Sequence, residues 1–146
     1  PGERIGFIAV SPFCDDVKTI MEGLTFCNRT LGFVNAPALM QHLVKYLQHV
    51  TVDVEFYQKK RDFLFRELTS IGYSIIKPGG AFYMFPKSPL EDDVKFVDEL
   101  RKNMVLVVPG TGFGAPGYFR LSYCVNDTTL ENSISGFRKA FQSVSP

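Results

Sequence analysis

A chain of 146 residues with 45% hydrophobic and 21% charged content has the make-up of a globular protein with a core of its own. Its net charge of +1 supplies no basic field for a nucleic-acid partner, and no apolar run reaches membrane-spanning length. Cys14, Cys27 and Cys124, with His42 and His49, set out neither a disulfide framework nor a zinc spacing. No metal site is expected, and a reducing, cytoplasmic setting is.

The chain enters an apolar stretch at once from Pro1-Gly2-Glu3-Arg4, with no methionine and no leader, as a piece of something longer would. Residues 4–10 read as a central strand. Val17, Ile20, Met21 and Leu24 then recur at helical spacing behind Asp15 and Asp16, and Gly32 closes that helix. Asn35 is the expected N-cap of a second helix, with Pro37 in its first turn and Leu39, Leu43, Tyr46 and Leu47 as its stripe. His42 and His49 fall on one face of it, as surface or interface residues. A long helix is predicted over 52–70, ending at Gly72, with a stripe of Val54, Tyr57, Leu64 and Leu68 widened by Phe56, Phe63 and Ile71. Its width suits a connection that touches two bodies. Lys59-Lys60-Arg61 reads as its solvated face.

A βαβα pattern follows. Strands are expected at 73–77 and 81–85, joined through Pro78-Gly79-Gly80. Ser88-Pro89-Leu90-Glu91 has the form of a capping box, opening a helix with Val94, Val97, Leu100 and Met104. Strands at 105–108 and 118–124 enclose a glycine-rich loop. Thr128 and Glu131 suggest a second capping box before a helix carrying Leu130, Ile134, Phe137 and Phe141.

In the strand at 118–124, period-2 alternation puts Phe119, Leu121 and Tyr123 on a core face and Tyr118, Arg120, Ser122 and Cys124 on the other. Two readings of Arg120 stand side by side. One is a structural arginine paired with an acid from a neighbouring helix. The other is a guanidinium facing a cleft, whose natural partner is a carboxylate. Arg4 is a second candidate for an anion, because a glycine turn feeding an arginine into a strand edge suits phosphate. The alternative is an arginine that ends a strand and pairs with Glu3. Gly112-Phe113-Gly114-Ala115-Pro116-Gly117 matches a dinucleotide fingerprint in form only, since Pro116 and a strand follow where a helix should open. No serine has a positioned histidine, and the carboxylates sit dispersed at helix starts. Two anion-binding candidates without a catalytic acid, base or metal imply that the chemistry is brought by something else.

The motifs Pro1-Gly2-Glu3-Arg4-Ile5-Gly6-Phe7 and Tyr118-Phe119-Arg120-Leu121-Ser122-Tyr123 together resemble class I/II aminotransferases, the fold-type I pyridoxal 5'-phosphate (PLP) enzymes, aspartate aminotransferase-like in kind. Asn35-Ala36-Pro37, Tyr57-Gln58-Lys59-Lys60-Arg61-Asp62, Pro78-Gly79-Gly80-Ala81-Phe82-Tyr83 and Val108-Pro109-Gly110-Thr111-Gly112-Phe113-Gly114 fall between them in the family's order. The resemblance covers the whole chain. It implies an α/β fold of the C-terminal region: the end of the PLP-binding large domain at 1–50, a connecting helix at 51–72, and a small α+β domain at 73–146. That domain would hold a short, mostly antiparallel sheet with helices on one face.

By the same resemblance Arg4 holds the PLP phosphate, Arg120 binds the substrate α-carboxylate, and the glycine loop is a mobile wall of the site. Arg29 lies near the place of an arginine that reaches a distal carboxylate across a dimer interface. The lysine that forms the Schiff base would lie upstream of Pro1, so the chain alone is expected to be inactive. The implied partners are an amino acid, a 2-oxo acid and a second copy of the full-length enzyme. A carbon–sulfur β-lyase or another fold-type I activity shares both arginines, and a non-catalytic α/β binding module is the alternative from another class.

Overall fold

A computed structural model describes residues 4–144, and the chain divides into two compact units, Pro1–Thr51 and Val52–Pro146. In the first, residues 4–10 run without a strand partner among the described residues, so the expected strand is not formed. An apolar run becomes a strand only where a neighbour satisfies its backbone groups. Helix α1 spans Val17–Thr30 and ends where the Gly32 N–H reaches the Arg29 carbonyl at 3.1 Å, with Gly32 at φ +82°. Helix α2 spans Ala38–Tyr46, entered through Pro37 and without a side-chain cap, so Asn35 does not cap it. His42 lies on α2, and His49 lies in the turn beyond it rather than on the helix. No helix of the described residues is long and apolar enough to cross a membrane.

The second unit is built on three helices and a small sheet. Helix α3 (Val54–Ile71) is capped by Asp53, whose carboxylate accepts the Phe56 N–H at 3.0 Å. Strand β1 (Tyr83–Met84), helix α4 (Asp93–Lys102), strand β2 (Val108–Pro109), strand β3 (Phe119–Ser122) and helix α5 (Asp127–Val144) follow. All pairing is antiparallel in the order β1-β3-β2, with Tyr83 opposite Ser122 and Val108 opposite Arg120. The expected strand at 73–77 stays irregular, with the Lys87 N–H donating to the Ser74 carbonyl at 2.9 Å.

Both capping boxes are displaced. Helix α4 starts after Asp92, which accepts the Lys95 N–H at 3.0 Å, while Ser88 closes a local turn onto the Leu90 N–H at 3.2 Å. Helix α5 starts after Asn126, which accepts the Thr129 N–H at 2.8 Å, so Thr128 is already inside it. In each case the Asx residue directly before the helix takes the orphan amide.

The core lies where α3 and α5 meet the buried face of β3. Phe119, Leu121 and Tyr123 are buried as their alternation requires. Tyr73 sits among the rings of Phe96, Phe119, Phe137 and Phe141, at centroid distances of 6.1, 5.9, 5.9 and 4.9 Å. Its hydroxyl donates to the Phe137 carbonyl at 3.0 Å, and burial pushes the phenol well above its ordinary pKa. Lys59-Lys60-Arg61 is not a solvated face throughout. Lys60 is buried, with its ammonium on the Val125 carbonyl and 2.7 Å from Asp127, tying α3 to the start of α5.

Candidate functional site

Arg120 stands in β3, the middle strand of the sheet, on the face opposite the core. Its diagonal neighbour across the antiparallel pair is Tyr83, because Tyr83 is in register with Ser122. From the other side of the sequence the chain leaves β2 in a single 3-10 turn, Gly110–Phe113, which delivers Phe113 to the same guanidinium. The Arg120 Cζ lies 4.4 Å from the Tyr83 ring centroid and 4.1 Å from that of Phe113. Two cation–π contacts therefore take up the apolar surface of the guanidinium. Among the described residues no carboxylate pairs with it and no side-chain hydrogen bond engages its N–H groups. The structural reading, an arginine neutralised by a neighbouring acid, does not hold. A half-buried cation flanked by two aromatic rings, its N–H groups unengaged among the described residues, is suited to a planar, twin-oxygen anion.

The turn beside it is closed by its own backbone. The Gly110 N–H donates to the Tyr118 carbonyl at 2.8 Å, and the Ala115 N–H to the Gly110 carbonyl at 3.0 Å. A Cβ on Gly110 would run into the carbonyl oxygens of Ala115 and Tyr118, so only glycine fits there. Asp93, buried in the first turn of α4, accepts the Thr111 N–H at 2.8 Å, the Thr111 hydroxyl at 2.7 Å and the Gly117 N–H at 3.3 Å. The Thr111 amide above all, against the opposing effect of burial, holds its carboxyl below the usual carboxylate range. Phe85 stacks on Tyr118 at 5.8 Å and meets Phe113 edge-on at 6.3 Å, so the turn also has an aromatic floor.

Arg4 belongs to the first unit. It has φ +45°, outside the usual range of a non-glycine residue, and its side chain is exposed. It borders a hollow of about 680 Å³ shared with Thr25, Asn28 and Asn35. Glu3, the acid that would pair with it in the structural alternative, lies outside the described residues, as do Pro1 and Gly2. An exposed guanidinium beside amide and hydroxyl groups fits an anionic group such as a phosphate. Arg29 is exposed in the last turn of α1, where a cation suits the helix dipole. Tyr83, Phe113 and Asp93 were not singled out by sequence reasoning. For Asp93 a signal existed, since Glu91-Asp92-Asp93 carries more acid than one cap needs.

A family model described as "Aminotransferase class I and II" matches residues 1–137. The chain belongs to that family. It is 40% identical over 95 residues to a probable aspartate/prephenate aminotransferase of Aquifex aeolicus, covering 60% of this chain and 24% of that protein. A probable aspartate aminotransferase of Methanocaldococcus jannaschii is 29% identical across 97% of this chain and 39% of its own length. A crystal structure of an amino transferase from Eubacterium rectale superposes with TM-score 0.89 and 38% identity, over 100% of this chain and 37% of that one. The chain thus spans between about a quarter and two-fifths of these relatives. The likeness supports the α/β arrangement expected from the sequence.

Proposed function

We propose that the chain is the C-terminal part of a PLP-dependent aminotransferase that moves an amino group between an amino acid and a 2-oxo acid, with Arg120 as the receptor of the substrate α-carboxylate. The observation that carries this reading is the state of Arg120: wrapped by Tyr83 and Phe113, with no acid partner among the described residues. Family membership adds the cofactor class. Names of relatives that act on aspartate suggest a dicarboxylate, for which Arg29 is the candidate second cation.

Arg4, with the amide and hydroxyl groups around its hollow, would hold the phosphate end of PLP. The cofactor, when bound, supplies the electron sink that stabilises negative charge at the amino-acid Cα. This chain's own share is orientation. A two-pronged grip on the carboxylate removes rotation about the Cα–carboxyl axis and fixes which Cα bond faces the reacting group. The domain division at 1–50, 51–72 and 73–146, the cytoplasmic setting and a homodimer of the full-length enzyme complete the proposal. Without the upstream lysine, the 146-residue chain by itself would not turn over substrate.

The test is Arg120→Lys in the full-length enzyme. Lysine keeps the charge and loses the planar fork, so amino-acid affinity should fall by roughly 1.5–3 kcal/mol while cofactor absorbance is kept. An unchanged affinity would remove Arg120 from the site. In the same series Arg4→Ala should loosen the cofactor, read from the absorbance lost on dialysis.

A further inference from the structure

We propose that Asp93 is a positioning residue for carboxylate recognition: by bonding both ends of the 111–117 turn it fixes Phe113 against the Arg120 guanidinium. This rests on the reading of Arg120 given above. Asp93 is 3% exposed, and among the described residues no cation pairs with its carboxylate. A buried charge without a counter-ion is costly, and its three hydrogen bonds all go to one turn. That role is distinct from capping α4, which Asp92 already does.

One oxygen, Oδ2, takes the Thr111 N–H, and the other, Oδ1, takes the Thr111 hydroxyl and the Gly117 N–H. The two attachment points lie on either side of Phe113. Between them the Gly114 N–H closes onto the Thr111 carbonyl at 3.1 Å, and outside them the Ser88 N–H holds the Gly117 carbonyl at 2.9 Å. The Phe113 backbone cannot move away from the guanidinium without straining these bonds, which confines its ring to the rotamers available from that position. The wall beside Arg120 is therefore fastened to α4 instead of swinging freely, and Arg120 is presented with its plane already set. Preset geometry removes an ordering cost from carboxylate binding.

An amide at position 93 has a single acceptor oxygen. Whichever way it turns, its NH2 group meets a donor N–H, so Asp93→Asn preserves volume but releases one end of the turn. Thr111→Val is gentler, removing the hydroxyl bond and leaving both amides in place. Both variants are to be made in the cofactor-loaded full-length enzyme. Affinity for maleate, as a non-reacting dicarboxylate, is measured by calorimetry, alongside KM, kcat and the melting temperature. Asp93→Asn should weaken maleate about tenfold, equivalent to one charge-assisted hydrogen bond, and raise KM more than it lowers kcat. Thr111→Val should move the same quantities in the same direction by a smaller factor. Arg120→Lys serves as the control on the underlying reading.

If Asp93→Asn lowers the melting temperature and leaves maleate affinity and KM unchanged, Asp93 is a fold-stabilising group only and the proposal is overturned. Should Asp93→Asn fail to fold, Thr111→Val decides: unaltered maleate affinity overturns the proposal and weakened affinity sustains it. Maleate affinity unmoved in Arg120→Lys overturns the carboxylate reading itself. Loss in Arg120→Lys with none in the other two removes Asp93 alone.

Discussion

The two units carry similar helical patterning and use it differently. In Pro1–Thr51, α1 and α2 present regular apolar stripes, yet no described residue of that unit is buried; Phe7, Phe26 and Leu39 are 92%, 69% and 66% exposed. In Val52–Pro146, stripes of the same period deliver Leu64, Leu68, Leu130 and Phe137 to a shared interior and leave each at most 5% exposed. Periodicity certifies a helix and the direction of its apolar face, whereas burial needs a second surface to meet that face. Among the described residues, only the second unit supplies both surfaces from its own residues. The chain's stability should accordingly reside there, and so should the rigid frame on which Arg120 is mounted.

The largest expected effect comes from striking that interior. Leu68 is fully buried in α3, so Leu68→Ala removes apolar contact and leaves a cavity, costing about 2–5 kcal/mol. Urea unfolding of the 146-residue chain, followed by circular dichroism, would read this as a lower midpoint. A loss under half a kilocalorie would mean that the interior is not close-packed, and the contrast between units would dissolve.

A smaller effect is expected in acid. Hydrogen bonding by Thr111 and Gly117 lowers the pKa of Asp93, and a depressed carboxyl pKa has a definite sign. Its stabilising contribution is complete above the ordinary aspartate value of about 4 and is lost as pH falls below that toward the lowered folded-state value. The second unit should therefore lose stability below about pH 4. In Asp93→Asn the pH dependence of the urea midpoint in this window should be shallower than in the parent chain. Equal slopes would show that the Asp93 carboxyl titrates alike in both states.

What could be foreseen and what could not divides along the same line. The buried face of β3 was legible because a strand's two faces follow from alternation alone, and Phe119, Leu121 and Tyr123 obey it. The helices were legible from their stripes to within a few residues. The strand at residues 4–10 was misread because hydrophobicity cannot say whether a neighbouring strand is present. The caps fall elsewhere because Asp92 and Asn126, each directly before its helix, compete with Ser88 and Thr128, and short-range competition is settled by geometry. Arg120 was legible as a charge out of place. Its partners were not: Tyr83 meets it through strand register and Phe113 through the Asp93-fastened turn, both products of tertiary structure.

The smallest expected effect is also the sharpest check on the opening contrast. Leu39 occupies the stripe of α2 as Leu68 occupies that of α3, and the same truncation can be made at both. Leu39 is already 66% exposed, so Leu39→Ala removes little buried area, and alanine is slightly the better helix former. The change in unfolding free energy of the 146-residue chain should stay within about 0.5 kcal/mol, as for other exposed positions. If Leu39→Ala instead costs as much as Leu68→Ala, the stripe of α2 is covered in solution by a surface such as a second copy of the chain. A dependence of that cost on protein concentration would separate such self-association from an interior formed within one chain.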